Sequence, residues 1–362
     1  MPELSVYPDP ERLLGCLLGG AIGDALGAPL EGLSLDGIRD RYGPDGPDGF
    51  QAERFGAGAI TDDTQLTMFT AHALVQASAR ARAKGIGGAA PGMLQIAYLT
   101  WLRGQGEEFP EQDMVGGGWL VQERALMTRR GPGRSTLSAL RKAAERQRPG
   151  IPLGTVVEPI NDSKGCGGVM RAAPCGFGFS DPAHAFDMGC QAAALTHGHS
   201  SGYLPAGVLA AMVWALVRGA EIPEALHLAR EQLQRRPGNR ETLEALARAV
   251  RLVGEGPATP ERLQTLGGGW TGEEAIAIAV YVALVPGEAA ERMRLAVTHG
   301  GDSDSTGAIC GNILGARYGA GAFPEPWRDG VEVRGAVARL AAMCSAECGP
   351  NPPDDDTGHP TR

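Results

Sequence analysis

The sequence predicts an all-α fold, a compact single domain over residues 1–348. Three observations carry that expectation. Apolar residues recur at helical spacing through most of the chain. No run reads as a convincing strand, and no repeat of about 20–50 residues appears. Apolar residues make up 43% of the 362, enough for a substantial core. The tail, 349–362, is rich in Pro and Asp and reads as disordered.

Residues 10–28 read as a helix rich in Gly and Ala, whose small side chains let other helices approach closely. Asp24 lies within it, and an Asp in so apolar a segment must be paired, hydrogen-bonded or ligating. A hydrogen bond to a neighbouring helix terminus is the favoured reading. Pro29 ends the helix and leaves Glu31 on a turn, free to move. Residues 33–59 read as a loop, with dense turn chemistry from Tyr42 to Gly49. Thr61 is an N-cap candidate for a helix reaching about Lys84, with Asp62 and Asp63 in its first turn. The helix dipole favours acidic residues there. The same Thr-Asp-Asp run is also an oxygen-rich half-site for a hard cation.

Further helices are expected at 91–104, about 119–128, and 134–146. Gly116 to Trp119 reads as flexible, and 148–160 as a Pro- and Gly-rich loop. In Asn161-Asp162-Ser163-Lys164-Gly165-Cys166-Gly167-Gly168-Val169-Met170-Arg171, glycines lead towards a helix start, where free amides cradle phosphate. The run is not a P-loop, and a plain turn leading into a helix is the simpler reading. Helices continue at 182–196, 203–219, 223–236, 239–254 and 259–266. His197 and His199 lie at a helix junction, where capping or hydrogen bonding outweighs zinc because no soft ligands accompany them. Gly267 to Gly272 is a turn presenting Trp270, followed by an amphipathic helix, 273–284. Residues 288–298 lead to Gly301-Asp302-Ser303-Asp304-Ser305-Thr306, at the mouth of a buried helix, and a last helix covers 328–345. The 301–306 run reads as an N-cap or as a site for Mg²⁺, Ca²⁺ or Mn²⁺.

A net charge of −9 argues against a general nucleic-acid-binding surface. Lysine occurs only at Lys84, Lys142 and Lys164. Seven cysteines without a C-x-x-C pair favour reduced thiols and a cytoplasmic setting. Leu13-Leu14-Gly15-Cys16 resembles a lipoprotein box, but acidic residues and no apolar segment precede it, so a signal peptide is not expected. The 13–30 stretch, with Asp24 and several glycines, is a poor membrane span.

Taken in order, Gly23-Asp24-Ala25-Leu26-Gly27, Thr61-Asp62-Asp63, the glycine loop at 165–168 and Asp302-Ser303-Asp304-Ser305 resemble the ADP-ribosylglycohydrolase family across roughly residues 10–320. The resemblance implies a compact all-α fold with a central dimetal cleft holding two Mg²⁺, with Mn²⁺ as the alternative. Thr61, Asp62 and Asp63 match one metal-binding motif; Asp302, Asp304 and Ser305 match the other, with Ser305 where many relatives carry threonine. Glu31 matches a flap glutamate. Ser163, Lys164, Gly165, Cys166, Gly167, Gly168, Met170 and His197 fall where relatives hold ADP-ribose. Cys166 stands where many relatives have asparagine; it reads as a tolerated change whose backbone still serves the ligand, with no polar side-chain contact expected there.

The implied activity is Mg²⁺-dependent hydrolysis of the C1″ glycosidic bond of an ADP-ribosylated protein or small molecule, releasing ADP-ribose. Such a reaction passes through an oxocarbenium-like state attacked by water. Asp62, Asp63, Asp304 and Glu31 are the catalytic candidates, the general base among them left open. N-linked arginine is favoured as the bond. O-linked serine, O-acetyl-ADP-ribose and a modified nucleic acid stay open, as do a non-catalytic ADP-ribose binder and a two-metal phosphohydrolase. Trp119 or Trp270 could face adenine, though packing roles suit each as well. A monomer with no membrane partner is expected.

Overall fold

The computed structural model describes residues 4–109, 117–146 and 151–353. Among them are fifteen α-helices: α1 (Pro10–Gly27), α2 (Leu35–Tyr42), α3 (Asp62–Lys84), α4 (Ala90–Gly104), α5 (Arg134–Ala144), α6 (Pro182–Ala194), α7 (Ser200–Leu216), α8 (Ile222–Gln234), α9 (Arg240–Val253), α10 (Pro260–Gln264), α11 (Gly272–Leu284), α12 (Ala289–Val297), α13 (Ser303–Tyr318), α14 (Glu325–Gly330) and α15 (Arg334–Cys348). No strand occurs among the described residues; Gly165 and Thr271 form an isolated bridge. The fold is all-α, as the periodicity predicts.

The buried apolar side chains form one contiguous cluster from Leu13 to Cys344. At its centre α1, α7, α11 and α13 are buried on almost every face. Their small residues make this feasible. On α1, Gly15, Gly19, Gly23 and Gly27 recur every fourth position and line one face. They meet Gly315, Gly311, Gly307 and Ser303 of the antiparallel α13. A Cβ on any of these α1 glycines would strike a backbone carbonyl of α13. The reverse holds for Gly307, Gly311 and Gly315 against α1. The two backbones touch directly, and this contact sets their relative register.

Several expectations need correction. The stretch 33–59 is not all loop: Ser34 caps α2 by accepting from the Gly37 amide at 3.1 Å. The helix expected at 119–128 is two short 3₁₀ turns, Gly118–Gln122 and Arg124–Met127. The single helix expected at 328–345 is two, α14 and α15, separated by Val331 to Val333. Residues 288–298 contain α12, opened by a capping box of Glu288 and Glu291. The helix at 273–284 is not amphipathic, since α11 is buried from Ala275 to Ala283. The flexible stretch expected at Gly116 begins outside the described residues, as does the tail beyond Pro353. No helix of the described residues is long and apolar enough to cross a membrane.

The α1–α13 interlock makes a test. Gly311→Ala drives a methyl group into the Gly19 carbonyl and should cost about 3 kcal/mol in urea unfolding, in the range of overpacked cores. Gly335→Ala, whose added Cβ meets nothing within 4 Å at the start of α15, should keep the midpoint or raise it slightly. Equal midpoints for the two variants would refute the interlock.

Candidate active site

Asp24 is fully buried on α1 and points at the N-terminus of α3. Its carboxylate accepts from the Thr61 amide at 2.9 Å, the Thr61 hydroxyl at 2.8 Å, the Thr64 amide at 3.1 Å and the Thr64 hydroxyl at 2.5 Å. This is the helix-terminus hydrogen bond favoured for it above. Burial, partly offset by these bonds, lifts its pKa to about 6. Thr61 in turn caps α3, its Oγ1 accepting from the Asp63 amide at 3.3 Å.

α3 thus presents Thr61, Asp62 and Asp63, all buried, from its first turn. α13 presents Asp302, Asp304 and Ser305 in the same way, with Asp302 as N-cap accepting from the Ser305 amide at 3.3 Å. The two clusters face each other. Burial raises the pKa of Asp62 and of Asp63 well above the carboxylate range, and the charge of Asp24 adds to both; Asp302 is a further repulsive neighbour. Asp304 is raised likewise by burial, then by Asp63 and Asp302. Two helix N-termini pointing at the cluster partly offset this crowding.

Cys166 lines the same space. Its thiol donates to Asp302 Oδ2 at 2.8 Å and lies 3.7 Å from the Ser305 hydroxyl. Ser305 Oγ is 3.8 Å from Met170 Sδ. The glycine run does not lead into a long helix as expected; it is a three-residue 3₁₀ turn, Cys166–Gly168. Backbone bonds tie it to the neighbouring loop, Cys166 N to Trp270 O at 3.2 Å and Gly272 N to Lys164 O at 2.8 Å. Ser163 Oγ lies 2.8 Å from Ser135 Oγ and accepts from the Gly165 amide. Lys164 turns outward to Glu241 at 2.6 Å. His197, buried, stands against the turn, so that a Cβ on Gly165 or Gly167 would lie 3.2 Å from its Nε2. His199 caps α7 instead, accepting from the Ser201 amide. Of the two tryptophans, Trp119 packs away from the site, with its indole N–H on Met343 Sδ and Arg339 over its ring. Trp270 is 50% exposed and borders an open cleft of about 650 Å³ shared with Gly32, Gln264 and Gly301.

Arg54 was missed by sequence reading. It ion-pairs with Glu31 and donates to the Ala28 carbonyl at 3.0 Å. The charges of Glu31, Asp304 and Asp62 all raise its pKa against burial. It also adopts φ 72°, a left-handed backbone uncommon outside glycine. An arginine in an irregular loop carries no periodic signal; only the run of turn residues around it hints at a special backbone.

The donors suit a hard divalent cation. Apart from the Cys166 thiol they are carboxylate and hydroxyl oxygens, and Asp63 Oδ1 is buried with no hydrogen-bond partner. Among the described residues no three His, Cys, Asp or Glu side chains already close into a metal cage. The hydroxyls of Thr61 and Ser305 complete the oxygen set from each helix.

The ADP-ribosylglycohydrolase family model matches residues 7–353. An uncharacterized protein of Archaeoglobus fulgidus is 27% identical over 91% of this chain and 95% of its own. The ADP-ribosyl-[dinitrogen reductase] glycohydrolase of Rhodospirillum rubrum is 24% identical over 93% and 98%, and ADP-ribosylhydrolase ARH3 of Gallus gallus 25% identical over 92% of each. A solved ADP-ribosylglycohydrolase-related protein complex superposes with a TM-score of 0.65 at 27% identity, covering 94% of this chain and 99% of that one.

Two measurements test the site. Asp24→Asn removes acceptors from buried amides and hydroxyls and should cost about 3 kcal/mol in unfolding free energy; a loss within error would show the α1–α3 bond to be dispensable. Burial lowers the pKa of His197 to about 3 and that of His299 to about 4. Both groups stay neutral when folded, so each stabilises above its unfolded value of 6.5 and loses that contribution as pH falls towards its folded value. NMR titration of the folded protein should show no inflection at 6.5 for either ring; one there would place it in solvent.

Proposed function

Because the chain belongs to the ADP-ribosylglycohydrolase family, we propose that it is a divalent-cation-dependent hydrolase removing ADP-ribose from a modified target by cleaving the C1″ glycosidic bond. The observation that carries the reading is the meeting of two oxygen clusters, from the first turns of α3 and α13, in one buried space beside the glycine turn. Thr61, Asp62 and Asp63 would hold one side of a Mg²⁺ pair, or of Mn²⁺, and Asp302, Asp304 and Ser305 the other. When bound, the cations supply Lewis acidity, holding the distal ribose hydroxyls and lowering the pKa of water.

The chain's own residues do the rest. Ser163 to Gly168, Met170 and His197 line the cradle for ADP-ribose, the backbone of Lys164 and the glycines serving there while the lysine head group stays with Glu241. Cys166 brings a thiol, committed to Asp302, where an amide would offer a polar contact. A carboxylate of the cluster, or Glu31 at its rim, accepts the proton of the attacking water. Arg54 holds Glu31 at the rim and balances part of the acidic charge.

N-linked arginine is the first bond to test, because Gly268-Gly269-Trp270 resembles the corresponding segment of arginine-specific members of the family. One relative is named for dinitrogen reductase and another, at similar identity, for no target, so substrate choice is left to assay. A monomer in the cytoplasm is part of the proposal, and its seven free cysteines support a reducing compartment.

Chromatography of ADP-ribosyl-arginine, ADP-ribosyl-serine peptide and O-acetyl-ADP-ribose, each with Mg²⁺ or EDTA, should show metal-dependent release of free ADP-ribose, greatest from arginine. Asp304→Asn should lower both Mg²⁺ occupancy and turnover by about a hundredfold or more while the circular dichroism spectrum is kept. Unchanged turnover would remove the metal-centred mechanism.

A further inference from the structure

Arg171 directly follows the Met170 of the cradle and is fully buried. Its guanidinium face lies 4.4 Å from the Tyr98 ring centroid. Nη2 donates to the Ala192 carbonyl at 3.0 Å and to Thr196 Oγ1 at 2.6 Å, while Nε and Nη1 find no acceptor. A buried cation so sparsely matched is costly, and the hydroxyl to which it donates is therefore informative.

Thr196 Oγ1 lies 2.8 Å from His197 Nδ1 and 3.4 Å from the Ala193 carbonyl. Arginine only donates. Oγ1 therefore accepts from Arg171 and has one proton of its own to give. The carbonyl at 3.4 Å is beyond good hydrogen-bond reach, whereas Nδ1 is well within it. A hydroxyl that accepts from a cation is polarised into a better donor. Nδ1 is thus the acceptor, and the ring proton falls on Nε2. That edge of the ring faces the glycine turn. Burial and then the Arg171 charge keep the ring neutral, which closes off the doubly protonated form.

We infer that Arg171 and Thr196 are positioning residues that fix His197 as its neutral Nε2–H tautomer and present that N–H to an oxygen of the ADP-ribosyl group. The second half rests on the glycine turn being the ADP-ribose cradle; the first half does not.

Long-range ¹H–¹⁵N NMR on the ligand-free protein reads the tautomer directly, with His197→Gln assigning the resonance. The wild-type ring should be Nε2–H. Thr196→Val, close in shape but without the hydroxyl, should move it to a mixture or to Nδ1–H, and Thr196→Ser should restore it. Calorimetric affinity for ADP-ribose should fall about three- to tenfold in Thr196→Val, the size of one lost hydrogen bond, and recover in Thr196→Ser. A wild-type Nδ1–H ring overturns the inference, whatever the variants do. So does a Thr196→Val protein that keeps the tautomer, or one whose tautomer changes while its affinity for ADP-ribose does not. A tautomer that responds as expected in a protein that does not bind ADP-ribose upholds the relay and overturns the role given to the cradle.

Discussion

The contact on which the structure depends is backbone against backbone, α1 on α13. Glycines on both helices bring the chains together without intervening side chains. Such a contact has little play, because a Cβ or a shifted backbone on either helix meets a carbonyl oxygen of the other. It matters because α1 carries Asp24, which grips the first turn of α3, while α13 begins at Asp302. Both halves of the acidic site are therefore located from one helix. Neither half is adjacent to the other in sequence, and no direct hydrogen bond between the two aspartate groups is needed to hold them in place.

That rigidity serves an electrostatic purpose. Asp24, Asp62, Asp63 and Asp304 are all buried, and burial raises the proton affinity of each, with neighbouring carboxylates adding to it for Asp62, Asp63 and Asp304. The two helix N-termini, the Arg54 guanidinium and the hydroxyls of Thr61 and Ser305 offset part of it. A site of this kind is poorly optimised for stability and well suited to binding positive charge and handling protons. The helical core around it, with α7 and α11 buried on nearly every face, supplies the apolar burial that tolerates the cost.

Much of this was legible in the sequence because the signals are local. Thr61-Asp62-Asp63 and Asp302 to Ser305 each combine capping chemistry with hard oxygen donors, and the structure places each at a helix start. Asp24 announced itself by being charged in an apolar run. The less legible parts depend on contacts distant in sequence. α2 was hidden among turn residues and holds through the Ser34 cap and the burial of Leu35 and Ile38. The helical pattern at 119–128 broke into 3₁₀ turns, because Gly117 and Gly118 take positive φ and the chain bends around Phe69 and His72. The glycine turn gained its shape from backbone bonds to Trp270 and Gly272, about a hundred residues away. Arg54 and the Arg171–Thr196–His197 chain lack any spacing signal, since each acts through partners that only folding assembles.

The α1–α13 contact also shapes how the protein can change. In most cores a residue that grows can be accommodated by a neighbour that shrinks, because side chain meets side chain. Here the obstacle to growth is a peptide carbonyl, which no substitution removes. Rescue by a smaller neighbouring side chain is closed to these seven glycines, so this seam stays locked where side-chain contacts could trade volume. The Glu31 turn and the Trp270 loop hang from this seam, through Gly32 N on Gly301 O and Asp302 N on Gly268 O, and inherit its fixed register.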